Sequence, residues 1–179
     1  AVLPQLILDF NVPVPGGLAD AAWIVNGYLI AYVVTMPIMG RVSDLYGRRL
    51  VFLVCLAFFA VGSVWAALTN GIWSMVAARV IQALGGGAMV PVALAAVSDA
   101  VVPRHRSIAI ATVVAVDTAG WVAGSAYGAW ITTWVGWRWV FWLNLPPALI
   151  GMLLVAVAMP RHARKQHVLD ISGAALLTL

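Results

Sequence analysis

Between clusters of charge, this sequence runs in apolar stretches about as long as a lipid bilayer is thick, and that spacing restricts the fold more than any other feature. Six stretches stand out, at residues 1–10, 21–39, 50–68, 72–97, 108–132 and 139–159, and Ile171 opens another. A membrane helix needs about 20 mostly apolar residues, so a chain of 179 holds roughly six or seven. An open strand edge cannot sit in hydrocarbon, so each stretch is read as a helix. Composition agrees: 64% of residues are hydrophobic and 9% charged, against about 25% charged in soluble domains. No globular interior of this size could hide so much apolar surface.

Charge placement supplies topology. Of the ten Lys and Arg, eight fall in alternate connections: Arg41, Arg48 and Arg49; Arg104 and Arg106; Arg161, Arg164 and Lys165. The positive-inside rule places these in the cytoplasm, facing anionic headgroups as well as water. The bias accounts for a pI near 9.8 without nucleic acid. Trp130, Trp134, Trp137, Trp139 and Trp142 crowd the opposite side, as an interfacial belt would.

The chain starts apolar, with neither a Met nor a charged n-region, so its start is not a signal peptide. It reads as a piece of a longer chain: residues 1–159 form a transmembrane bundle whose first helix is truncated. Residues 160–170 form a basic cytoplasmic loop, and 171–179 begin a seventh helix. The expected fold is an all-α membrane protein. The single Cys55 excludes a disulfide framework and reads as a small core or lipid-facing residue. His105, His162 and His167 lack metal-ligand spacing, so neither metal nor cofactor is expected. No Ser/His pair, HExxH or paired-aspartate motif lies within the spans, so an enzyme is not expected.

Four motifs carry mechanism. The first is Gly40-Arg41-Val42-Ser43-Asp44-Leu45-Tyr46-Gly47-Arg48-Arg49 between spans two and three. Its glycines allow a tight turn, and Asp44 can accept from arginines or a helix N-terminus. An ordinary basic loop is the plainer reading. The second, Arg79 to Ala88, puts an Arg inside span four, at about 2.5–3.5 kcal/mol on insertion scales. Arg79 should face the bundle interior, with Gln82 one turn along the same face; a snorkelling Arg79 is the plainer reading. Gly85–Gly87 suit close helix packing.

The third, Ala119 to Gly128, sets Gly120, Gly124 and Gly128 four apart on one helical face suited to tight packing. Nearby Asp117 is costly in a membrane, so it is expected to be protonated, paired (Arg79 is one possible partner) or functional. Its plainer role is a hydrogen-bond partner to a neighbouring helix. The fourth is Trp137-Arg138-Trp139-Val140-Phe141-Trp142-Leu143-Asn144-Leu145-Pro146, opening span six. Asp99 is expected to interact with Arg104 or Arg106.

These segments resemble motifs A, B and C of the major facilitator superfamily and the Trp-Arg-Trp element of its fourteen-helix drug:proton antiporter branch. The resemblance implies an N-terminal six-helix bundle in the cell membrane that rocks against a C-terminal half of the same transporter. It implies proton-coupled export of a small hydrophobic or amphipathic substrate, as in multidrug efflux, with protons and membrane lipid as further partners. Arg79, Gln82 and Asp117 would link protonation to transport. Gly40, Arg41, Asp44, Gly47, Arg48 and Arg49 would form a cytoplasmic latch, while Trp23 and Tyr28 would line the cavity or face lipid. Two departures weaken the antiporter reading: Ser125 stands where motif C has Pro, and Tyr127 where it has Gly. The segment at 11–20, Tyr127–Gly128 and Leu169–Gly173 resemble a subset that includes mycobacterial triacylglycerol exporters, which makes lipid export an alternative. A non-transporting scaffold or sensor built from half a transporter is another.

Overall fold

The structure is a computed structural model that describes residues 2–10 and 17–159, with side chains from Gln5 onward. The basic loop and seventh helix expected at 160–179 lie outside the described residues, as do residues 11–16 of the Pro/Gly segment at 11–20.

Every regular element among the described residues is helical: α1 Val2–Asp9, α2 Leu18–Tyr46, α3 Arg48–Leu68, α4 Ile72–Ala100, a short 3-10 turn Pro103–His105, α5 Arg106–Trp134, α6 Trp137–Trp142 and α7 Leu145–Ala158. Five helical segments, with α6 and α7 counted as one span, are long and apolar enough to cross a membrane. The chain is a multi-pass membrane protein.

Helices overrun the apolar stretches at their ends. α2 continues to Tyr46, so the connection expected between spans two and three is mostly helix, and only Gly47 joins α2 to α3. Gly47 has φ +92°, a left-handed geometry that disfavours any side chain. The sixth span breaks at Leu143–Asn144, because Pro146 and Pro147 lack the amide protons that a continuous helix would use.

α4 is the centre of the bundle, packed along α2 and α3 and touching α5. Small residues make this possible. A Cβ on Gly62 would collide with the backbone of Gln82, one on Gly85 with the backbones of Cys55 and Phe59, and one on Gly87 with that of Tyr32. The three helices therefore meet nearly backbone to backbone, which maximises dispersion contact where lipid provides no hydrophobic drive. One apolar cluster gathers Leu6, Ile24, Met75, Trp137 and Phe141; a second gathers Val51, Cys55, Ala88 and Val92.

The close packing expected of Gly120, Gly124 and Gly128 is not made among the described residues. A Cβ at any of them would meet nothing within 4 Å. The most apolar stretch of α5 is nowhere buried in the bundle. Small residues permit close approach only where a second helix lies opposite, and α5 stands at the edge of the described bundle.

Candidate functional site

Arg79, itself partly buried, heads a polar chain that runs to the buried Gln82 and Ser63. Its Nη1 donates to Gln82 Oε1 at 2.5 Å, Gln82 Nε2 donates to Ser63 Oγ at 2.7 Å, and Ser63 Oγ donates to the Phe59 carbonyl at 2.8 Å. The guanidinium also lies 3.9 Å from the centre of the Tyr28 ring and 5.8 Å from that of Phe141. Arg79 thus points along α4 into the bundle rather than outward. A hydrogen bond to a charged group contributes about 1.5–3 kcal/mol. A desolvated cation over an aromatic face contributes about 2 kcal/mol. Together these offset an insertion cost of about 2.5–3.5 kcal/mol without a carboxylate.

Tyr28 begins an aromatic row. It stacks on Tyr32 with centroids 5.8 Å apart, and Tyr32 meets Trp121 of α5 edge-on at 6.3 Å. This row joins the surroundings of Arg79 to the face of α5 that carries Asp117. Arg79 and Asp117 form no ion pair among the described residues. The pairing the sequence left open is not made; Arg79 lies instead over the Tyr28 ring. Trp23 is 46% exposed on α2 and joins no aromatic pair among the described residues.

A second centre lies at the arginine-rich end. Arg48 contacts Asp44 at 2.5 Å and Asp99 at 3.1 Å, and its Nη1 donates to Ser43 Oγ at 2.6 Å. Arg49 donates to the Ala156 carbonyl at 2.5 Å. One guanidinium therefore ties α2 and α3 to the end of α4, and its neighbour ties α3 to α7. Asp99 pairs with Arg48 rather than with Arg104 or Arg106. The turn at Pro103–His105 carries those two into solvent, while the Gly47 joint brings Arg48 beneath α4. A cavity of about 510 Å³ opens between these ends, lined by Arg48, Arg49, Leu53, Ala96, Asp99 and Met159 among others.

At the opposite end Trp137 is buried, and its indole N–H donates to Asp9 at 2.7 Å. Arg138 lies 3.5 Å from Asp9, donates to Asn70 Oδ1 at 3.1 Å and sits over the Trp137 ring. Trp137 is thus no interfacial anchor, whereas Trp130, Trp134, Trp139 and Trp142 remain exposed, as a belt requires. Ser63, Tyr32, Trp121 and Asp9 were not singled out in the sequence. A Ser or Tyr in an apolar run carries no distinguishing pattern until the helix facing it is known.

A lipid-facing bundle with a cation turned into its interior and arginine clasps at one end defines a class: a polytopic membrane protein with a polar interior of the kind transporters use. The chain belongs to the major facilitator superfamily, whose family profile matches residues 1–176. It is 39% identical to a triacylglyceride transporter of Mycolicibacterium hassiacum, over 87% of this chain and 30% of that protein. It is 37% identical to a triacylglyceride transporter of Mycobacterium tuberculosis, over 99% of this chain and 35% of that protein. The chain therefore spans about a third of the length of these relatives. Among solved structures it resembles the inward-open xylose transporter XylE from E. coli, with a TM-score of 0.66 and 18% identity over 88% of this chain and 40% of that one. That likeness concerns the fold alone.

Proposed function

We propose that the chain supplies one bundle of a proton-coupled, alternating-access exporter in the cell membrane, and that its substrate is a triacylglyceride-type lipid. The observation that carries this reading is the partly buried Arg79, without a carboxylate partner among the described residues, at the head of the apolar, aromatic row Tyr28–Tyr32–Trp121. Such a surface suits a substrate that is mostly hydrocarbon with a few ester oxygens. The names of the relatives support the same substrate class. Arg79, Gln82 and Asp117 respond to protonation in this scheme, and Arg48 with Asp44 and Asp99 latches one conformation at the cytoplasmic face. The second bundle would come from the remainder of a longer transporter. No step of the scheme chemically alters the substrate, as befits a transporter rather than an enzyme.

Multidrug efflux is the second reading, favoured by the same aromatic row, because stacked tyrosines also attract flat organic cations. The experiment is transport by the full-length protein in proteoliposomes under an imposed pH gradient. Gradient-driven transfer of a fluorescent triacylglycerol, with little movement of ethidium, is expected. Ethidium movement without lipid transfer would reverse the order of the two readings, and movement of neither would favour a scaffold or sensor.

A further inference from the structure

We infer that Ser63, on α3, is the positioning residue that holds Arg79 in its coupling geometry; the inference rests on the reading of Arg79 as a coupling group. The argument is an inventory of protons. A guanidinium only donates, so the Gln82 atom facing Arg79 has to be the carbonyl oxygen. The Phe59 carbonyl only accepts, so the single Ser63 proton goes to it. Ser63 Oγ is left with lone pairs alone toward Gln82 and receives the amide N–H at 2.7 Å. Every link of the chain thus has one allowed direction. Ser63 prevents the Gln82 amide from rotating by half a turn, which would set an NH₂ against the guanidinium.

Packing makes this hold rigid. Gly62, the neighbour of Ser63, lies against the Gln82 backbone so closely that a Cβ there would collide with it. Ser63 and Gln82 are both buried, and no water is needed to satisfy either side chain. Without the hydroxyl, the amide N–H is left unsatisfied in a low-dielectric interior, and the amide turns or withdraws from Arg79.

The test uses full-length protein in proteoliposomes, with fluorescent triacylglycerol as the probe. The readout is the ratio of gradient-driven transfer to exchange without a gradient, together with its pH profile. A merely structural role for Ser63 would lower both rates together and leave that ratio unchanged. Ser63→Ala is expected to lower the ratio about tenfold, from the loss of one buried partner. Ser63→Thr, which keeps the hydroxyl, is expected to restore it. In a Gln82→Glu background, Ser63→Ala is expected to add no further loss, because a carboxylate has no wrong orientation toward Arg79. Should Ser63→Ala not reach the membrane, Ser63→Cys carries the same test with a weaker acceptor. An unchanged ratio and pH profile in Ser63→Ala, with Arg79→Gln abolishing gradient-driven transfer, overturns the role of Ser63 and leaves that of Arg79. Normal gradient-driven transfer by Arg79→Gln overturns the coupling role of Arg79 and this inference with it.

Discussion

At the scale of single residues, the described bundle divides its charges by environment. Arg79 is compensated by an amide oxygen and an aromatic face, whereas Arg48 is compensated by two carboxylates that are 57% and 59% exposed. Exposed pairs contribute about 0–1 kcal/mol each. The clasp at the arginine-rich end therefore adds little to fold stability and suits a contact that opens and closes. Asp44→Ala in the full-length transporter is expected to shift its population inward-facing while changing its melting temperature by only a few degrees. Inter-helix distance measurements between spin labels check this, and an unchanged distance distribution removes the latch role. Asp117 makes no hydrogen bond or ion pair among the described residues, although a carboxylate at that depth is costly. Asp117→Asn is expected to abolish gradient-driven transport and to leave membrane insertion intact; unchanged coupling would refute its role.

At the scale of helices, spacing along the chain does not tell which glycines pack: the regular series of α5 faces no second helix among the described residues, whereas the lone Gly62 of α3 and the Gly85–Gly87 run of α4 do. Gly62, Gly85 and Gly87 sit where two backbones meet; Gly120, Gly124 and Gly128 face open space. Gly85→Leu is expected to destabilise the detergent-solubilised protein by about 1–3 kcal/mol, since the obstructing atoms at Cys55 and Phe59 are backbone and cannot step aside. Gly120→Ala is expected to leave the packing of this bundle unchanged. Thermal unfolding followed by tryptophan fluorescence compares the two, and an equal loss of stability would contradict the packing assigned here. Breaks between helices follow from local chemistry: Gly47 supplies a positive φ at a one-residue joint, and Pro146–Pro147 end α6 and restart the span as α7.

At the scale of the whole molecule, antiparallel helices gather Arg41, Arg48, Arg49, Arg104 and Arg106 at one end and Asp9, Asn70 and Arg138 at the other. The contacts Arg48–Asp99 and Arg138–Asp9 each join helices within one end. Charge bias then assigns the arginine-rich end to the cytoplasm. Cysteine labelling checks this, because Cys55 is the sole cysteine of the chain. In a full-length background with native cysteines replaced, a cysteine at Asn70 is expected to react with an impermeant maleimide from outside the cell, and one at Arg104 only after permeabilisation. The reverse pattern would invert the topology.

The membrane bundle and its helix order were legible in the sequence, because lipid imposes length and apolarity on every span independently. The interior position of Arg79 and its place on one helical face with Gln82 were legible for a similar reason: a cation in a span is costly, and three residues make about one helical turn. Partners across helices were not legible. Asp99 finding Arg48 instead of Arg104, Trp137 leaving the interface for Asp9, and Ser63 receiving the Gln82 amide all depend on how helices are set against one another. Those settings follow from backbone contacts at Gly62, Gly85 and Gly87, whose effect exists only when the opposing helix is in place. The spans, and the transporter family behind them, were thus determined along the chain, residue by residue. Only the tertiary structure decided what each polar group inside them touches, since burial leaves a polar group no water and makes its neighbours its sole partners.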